Sequence, residues 1–171
     1  MKYILVLFLL ITNCFAFFED INSFKADFTQ TVTDEKNKVL TYKGNLVASK
    51  PQNAMWDYKT PITKTVYINN NSVTIVEPEI EQVIIRKIES NFDFFKMLKN
   101  AKMLKKNIYL AEFEKTSFII VTKKDKIKSI SYIDEFENTV KVSFTNQQRN
   151  VKIDKTIFIP KFSLDFDVIT D

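Results

Sequence analysis

The stretch Lys50-Pro51-Gln52-Asn53-Ala54-Met55-Trp56-Asp57-Tyr58-Lys59-Thr60-Pro61 holds the single Trp of the 171-residue sequence, placed between two prolines. Pro51 lacks a backbone donor and biases the preceding residue to extended backbone, so the stretch is expected to begin at a sheet edge or a bend. Side chains of a strand alternate between faces, which puts Ala54, Trp56 and Tyr58 on one face. An inward Trp needs a packed core or a cavity, and the spacing alone leaves both open.

This stretch resembles the signature of the LolA family, the periplasmic carriers of outer-membrane lipoproteins, which reads basic-Pro-x-x-aromatic-x-Trp with a Pro a few residues on. Lys50 stands where the family favours Arg, and Ala54 where it favours Phe. Further matches follow in the family's order over nearly the whole chain, namely Phe24-x-x-x-Phe28-x-Gln30, Gly44-Asn45-Leu46, Glu81-Gln82-Val83 and Phe166-Asp167-Val168-Ile169.

The first residues have the pattern of a secretory signal peptide. Lys2 precedes an apolar run from Tyr3 to Ile11 that is too short to cross a bilayer as a helix. Cleavage after Ala16 is expected, so that residues 1–16 form the signal peptide and residues 17–171 a single domain. The alternative is cleavage before Cys14 and lipidation of that Cys, which would anchor the protein, although Asn13 stands where such sites carry Gly or Ala.

The composition argues against most enzyme classes. The sequence has no His, its one Gly is Gly44, and its one Cys would leave with the signal peptide. Ser-His and Cys-His nucleophiles, the usual zinc ligand sets and glycine-rich phosphate loops are therefore excluded. A carboxylate-based hydrolase would have to use acidic residues such as those of the turn at Asp134. Acidic residues clustered at a turn are typical of solvated surface. We therefore predict that the protein is not an enzyme and binds no cofactor and no metal.

The charge balance is mildly basic. Removal of Lys2 with the signal peptide lowers the net charge from +4 to +3. The lysines are scattered and do not alternate with aromatic residues in a cluster, so nucleic acid is not a predicted partner.

Two helices are predicted from apolar spacing. Phe17, Ile21, Phe24, Phe28 and Val32 recur in steps of three or four, which predicts a helix from residue 17 to about residue 32. A second helix is predicted from about residue 90 to residue 104, capped by Ser90 or Asn91, with apolar side chains on two opposite sides. That helix is either wedged into a barrel mouth and buried on both sides, or a lid whose second apolar side meets a ligand.

The rest of the chain predicts short strands with polar turns, at residues 39–48, 65–68, 72–76, 83–85, 108–113, 118–122, 127–133, 139–145 and 164–168. An antiparallel meander that buries one face tends to curl into a barrel. The expected fold class is mainly β (α+β), an incomplete antiparallel β-barrel with helices covering its mouth as a lid.

The resemblance to the LolA family implies a function. Acyl chains of a lipoprotein would occupy the apolar space between lid and sheet, loaded by the inner-membrane transporter LolCDE and passed on to an outer-membrane acceptor, LolB where that exists. The protein would be a periplasmic monomer. By the same resemblance, Lys50 would be a latch that holds the closed lid through hydrogen bonds to lid carbonyls. The alternation of side chains along the strands, the positions on the predicted helices and the resemblance together predict which residues border the cavity. These are Phe24, Phe28, Trp56, Val83, Ile85, Phe92, Phe95 and Leu98.

Two other functions remain open at this point. One is a membrane-anchored acceptor of the same fold, similar to LolB and held through Cys14. The other is a non-catalytic envelope protein that binds lipid without carrying it, or binds no ligand at all.

Overall fold

The computed structural model describes residues 18, 20–69, 72–87 and 93–170. The predicted signal peptide, the hairpin residues Asn70 and Asn71, the predicted caps Ser90 and Asn91, and the predicted cavity residue Phe92 lie outside them. The described residues form a 12-stranded sheet. Its strands are β1 (Ser23–Thr33), β2 (Val39–Ser49), β3 (Asn53–Thr60), β4 (Lys64–Asn69), β5 (Ser72–Glu77), β6 (Gln82–Lys87), β7 (Lys102–Lys105), β8 (Ile108–Phe113), β9 (Thr116–Lys123), β10 (Lys126–Ile133), β11 (Thr139–Arg149) and β12 (Asp167–Thr170).

The sheet is open. Its strand order is β12-β6-β5-β4-β3-β2-β1-β11-β10-β9-β8-β7, and within the described residues no pairing joins the two ends. Most neighbours are antiparallel and sequential, as a meander predicts, and β1 joins the two halves by pairing with both β2 and β11. The prediction of a mainly β, incomplete barrel is confirmed.

The prediction of a helix over residues 17–32 is wrong, because Ser23–Thr33 is a strand. Phe24, Phe28 and Val32 are four residues apart, a spacing that places side chains on one face of either a helix or a strand. Ala26 is also buried while Lys25 is exposed, so the burial has the period of a strand. Four of the five residues from Thr29 to Thr33 are β-branched, which favours the strand, and pairing on both edges stabilises it.

The second predicted helix is shorter than expected. Helix α1 (Phe94–Lys99) begins after Asp93, whose side chain accepts hydrogen bonds from the backbone of Phe95 and Lys96. Met103 and Leu104 continue the apolar spacing, but they belong to β7, and Met103 pairs with Tyr109 of β8. Within the described residues, no helix is long and apolar enough to span a membrane.

The terminal strand also differs from the prediction. It begins at Asp167, and β12 pairs with β6 in parallel rather than antiparallel orientation. Leu164, the first residue of the predicted strand, lies before β12 and is 96% exposed. The chain between β11 and β12 includes the 3-10 helix Lys155–Phe158, which contacts β3 and β4.

The two faces of the sheet carry separate hydrophobic clusters. The larger one, the inner cluster, contains side chains of β1, β2, β9, β10, β11 and α1 and includes Phe24, Phe28, Leu98 and Phe144. The smaller one, the outer cluster, consists of Tyr67, Val76 and Val83 with Met55, Ile85 and Phe166 packed against it. Helix α1 therefore packs on the inner side of the curved sheet, and the C-terminal segment packs on the outer side.

Candidate functional site

A row of aromatic rings crosses the inner face beside the Trp stretch. The ring of Phe28 lies 5.0 Å from the ring of Trp56 and 5.0 Å from that of Tyr58, edge-on in both cases. The strand register explains the row, because Gly44 pairs with Phe28 on one side and with Tyr58 on the other. With no side chain at Gly44, the rings of the neighbouring strands meet over its backbone.

A cavity of about 470 Å³ lies next to this row, between β3–β4 and β10–β11, with α1 at one end. Such a volume is typical of small-molecule and cofactor pockets. Apolar and aromatic side chains predominate, and a few polar groups lie toward the end away from α1. The lining residues are Gln30, Trp56, Tyr58, Val66, Ile68, Phe94, Met97, Thr116, Phe118, Ile130, Tyr132, Ile133, Asp134, Glu135, Val142 and Phe144.

A second, small cavity of about 40 Å³ lies on the other side of Trp56. Trp56, Ile68 and Phe94 line both cavities and therefore separate them. Ala54 lines the small cavity, where a larger side chain would occupy the space. Phe95 of α1 borders this space, whereas the side chain of the neighbouring Met55 lies in the outer cluster.

Helix α1 contributes the wall nearest the Trp stretch. Phe95, Met97 and Leu98 are all buried, so the six-residue helix is enclosed on more than one side. The Phe94 ring lies 6.0 Å from the ring of Phe24, and Phe94 and Met97 reach the main cavity. The helix therefore packs against the sheet and also borders the cavity, and its role as a lid stays a prediction.

Lys50 lies where β2 turns into the Trp stretch. Its ammonium donates to the side-chain oxygen of Asn22 at 3.0 Å and lies 6.0 Å from the centre of the Phe95 ring. Lys50 thus touches α1 through an aromatic face, an attraction that is modest at exposed sites. Residues 88–92, which lead into α1, lie outside the described residues, and the latch to lid carbonyls stays a prediction.

The acidic residues near the cavity are turn residues. Asp134 accepts hydrogen bonds from the backbone of Phe136 and Asn138, each at 2.9 Å, and thereby fixes the β10–β11 turn. Burial raises the pKa of Asp134, but the hydrogen bonds from Asn138 and Phe136 outweigh it and hold that pKa below its usual value. Among the described residues, no group of three or more His, Cys, Asp or Glu residues could hold a metal ion.

The seven predicted cavity residues that the structure describes fall into three groups. Trp56 lines both cavities, and Phe95 lines the small one. Phe24, Phe28 and Leu98 lie in the inner cluster and are not among the lining residues of either cavity. Val83 and Ile85 were assigned to the wrong face. Across β6, β5 and β4, Val83 pairs with Val76, which pairs with Thr65, and Ile85 pairs with Thr74, which pairs with Tyr67. Thr65 and Tyr67 lie on the face opposite to Trp56.

Other lining residues were missed. Phe94 and Met97 of the predicted helix were not among the predicted cavity residues. Val142 and Phe144 belong to the cleanest alternating segment of the sequence, and Ile130 to the strand before it. Alternation placed Val142 and Phe144 on the apolar face of their strand, but sequence alone did not reveal that β11 adjoins β1, the arrangement that brings this face opposite Trp56.

Comparison with known proteins decides the family. The family model described as "Outer membrane lipoprotein carrier protein LolA" matches residues 19–118. A protein of Campylobacter jejuni named outer-membrane lipoprotein carrier protein is 38% identical over 168 residues, which cover 98% of each chain. The chain belongs to the LolA family. A Wolinella succinogenes protein of the same name is 32% identical over 155 residues, covering 90% of each chain.

A solved structure agrees on the fold. An uncharacterized conserved protein from Thermus thermophilus superposes with a TM-score of 0.54 at 10% sequence identity, covering 90% of this chain and 93% of that chain. The LolA-family assignment predicted from the Lys50–Pro61 stretch is confirmed by the sequence comparisons.

Proposed function

We propose that this LolA-family protein carries lipoproteins from the inner to the outer membrane and shelters their acyl chains in the cavity beside Trp56. The observation that carries the proposal is a cavity of about 470 Å³ with mainly apolar walls, in a protein whose relatives are named outer-membrane lipoprotein carriers. The cargo enters by binding alone. No covalent step is proposed.

The hydrophobic effect provides the driving force. Each methylene removed from water contributes about 0.8 kcal/mol, so a dozen methylenes would contribute roughly 10 kcal/mol. A carrier must also release its cargo, which requires much of this free energy to be offset on transfer. Helix α1 contributes Phe94 and Met97 to the cavity wall, so a displacement of α1 would change the binding surface directly.

The proposed partners are those that the resemblance to the LolA family implies. We propose that the inner-membrane transporter LolCDE loads the cavity and that an outer-membrane acceptor, LolB where present, receives the cargo. Lys50 is proposed as the latch, with its ammonium between Asn22 and the Phe95 ring in the described state. Closure of α1 and release of cargo would then be coupled through one side chain.

We further propose that the protein matures by removal of residues 1–16 and acts in the periplasm as an unlipidated monomer. Palmitate labelling of the full chain tests this, with Cys14→Ala as the matched variant. Label that is incorporated by the wild type and lost in Cys14→Ala would contradict it and favour the anchored acceptor.

The carrier function is tested by capture of native cargo. Tagged mature protein is purified from the periplasm without detergent, and bound proteins are identified by mass spectrometry. Lipoproteins with intact acyl chains are expected on the wild type and should be strongly depleted on Val66→Phe, which fills the cavity. Equal recovery of acylated and unacylated proteins would contradict the proposal.

A further inference from the structure

The cavity contains a hydrogen-bonded polar pair, Gln30 and Tyr58. Gln30 follows Phe28 by two residues on β1 and therefore has the same, inward orientation. The Tyr58 hydroxyl donates a hydrogen bond of 2.8 Å to Oε1 of Gln30. Both residues line the main cavity.

The hydrogen bond fixes the direction of the Gln30 amide. Its oxygen accepts from Tyr58, so the amide nitrogen and its two N–H donors are left for other partners. Within the described residues, no hydrogen bond from this nitrogen to another protein group is present. Donors that face an apolar cavity without an acceptor are unfavourable once water is displaced, and an acceptor on the ligand would remove that cost.

Tyr58 is well suited to hold the amide. Its ring is fixed edge-on between Phe28 at 5.0 Å and Tyr42 at 6.0 Å. Burial, with the nearby Tyr132 and Tyr42 hydroxyls, raises the pKa of Tyr58 to about 12. The phenol therefore stays protonated and donates to Gln30 over the whole physiological pH range.

The pair lies at the polar end of the cavity. Tyr132, Asp134 and Glu135 line the wall contributed by β10 and its turn, and the Lys64 ammonium lies 5.0 Å from the centre of the Tyr58 ring. The opposite end is formed by Phe94 and Met97 of α1. An acyl group has the same asymmetry, since it has an apolar chain and one carbonyl at its polar end.

We propose that Gln30, oriented by Tyr58, donates a hydrogen bond to the ester or amide carbonyl of a bound acyl chain and so fixes the polar end of the lipid at this end of the cavity. This inference rests on the proposed function. It adds a specificity-determining residue, because an amide N–H donates a stronger hydrogen bond to a carbonyl oxygen than to an ether oxygen and so favours carbonyl-linked chains.

A matched pair of lipids tests the inference. Binding of an ester-linked diacylglycerol and of the ether-linked dialkylglycerol of equal chain length is measured by titration of the mature protein. The wild type is expected to bind the ester roughly two- to tenfold more tightly, as one additional hydrogen bond predicts. Gln30→Met keeps the length of the side chain without donors and should bring the ester affinity down to that of the ether.

Two further variants serve as controls. Gln148→Met makes the same chemical change at an exposed position of β11 and should keep the preference. Gln30→Glu keeps an acceptor for Tyr58 but removes the N–H donors, so it should lose the preference even if Gln30→Met does not fold. Equal affinities of the wild type for both lipids, or a preference retained in either Gln30 variant, would overturn the inference. Binding of neither lipid by the wild type would instead contradict the proposed function.

Discussion

A Cβ atom at Gly44 would overlap the backbone carbonyl of Asp57 on the neighbouring strand and would lie 2.9 Å from Cζ of Phe28. The backbone of Gly44 has a negative φ, so the requirement for Gly is one of space and not of conformation. β2 and β3 approach each other here, and the aromatic row beside the cavity depends on that approach.

Gly44→Ala is therefore expected to destabilise the protein by about 1–3 kcal/mol, the usual cost of overpacking. Urea unfolding measures the change. Ser49→Ala, at the half-buried last residue of the same strand, is the control and should have little effect. Unchanged or higher stability of Gly44→Ala would show that β2 and β3 can separate freely at this point.

Lys50→Leu should separate stability from release. The lost ammonium interactions with Asn22 and Phe95 are exposed and contribute about 0.5–1.5 kcal/mol at most, so unfolding should change little. Under the latch hypothesis the variant loads cargo but passes it on poorly, while Lys50→Arg behaves like the wild type or better. The measurement is transfer of a lipoprotein from loaded carrier to outer membranes, and normal transfer by Lys50→Leu would refute the latch.

Val66→Phe tests the cavity as the binding site. Val66 pairs with Trp56 across the strands and lines the main cavity, so a Phe ring there would occupy the space of an acyl chain. We expect roughly tenfold weaker binding of an acyl probe. To bind, the probe would have to displace the introduced Phe ring, and such a rearrangement of a packed side chain costs about 1–3 kcal/mol. Val168→Phe, at a half-exposed position of β12, is the matched control. Equal probe binding by both variants would place the site elsewhere.

Val83→Ala tests the assignment of β6 to the outer cluster. Val83 is fully buried, and loss of its two methyl groups should destabilise the protein by about 2 kcal/mol. Because the side chain faces away from Trp56, acyl-probe affinity of the folded protein should stay unchanged. A large loss of affinity at full folding would contradict the register derived for β5 and β6.

The fold class could be predicted from the sequence because strand periodicity is local. The alternation of Val140, Val142 and Phe144 and the hairpin between β4 and β5 depend on neighbouring residues only. The first strand could not be identified this way, since Phe24, Phe28 and Val32 have a spacing that fits helix and strand alike. Its strand conformation depends on pairing with β11, more than a hundred residues away in sequence.

The site could be predicted only in part for the same reason. Trp56 stood out by its uniqueness and by the resemblance of its surroundings to the LolA family. Val83 and Ile85 were placed on the wrong face of the sheet. Alternation shows which residues of one strand share a face, but it does not show which face of a neighbouring strand lies on the same side. Gln30 belongs to one of the motifs that carry the resemblance, but its role depends on the hydrogen bond to Tyr58, which arises from the register across β1, β2 and β3.

The central claim is that acyl chains lie in the cavity beside Trp56, and quenching of the fluorescence of this single Trp tests it most directly. A synthetic lipopeptide with brominated acyl chains is titrated into mature protein, with the same peptide without acyl chains as control. We predict saturable quenching by the lipopeptide alone, lost in Val66→Phe and kept in Val168→Phe. Saturable binding of the lipopeptide without quenching of Trp56 would contradict the account.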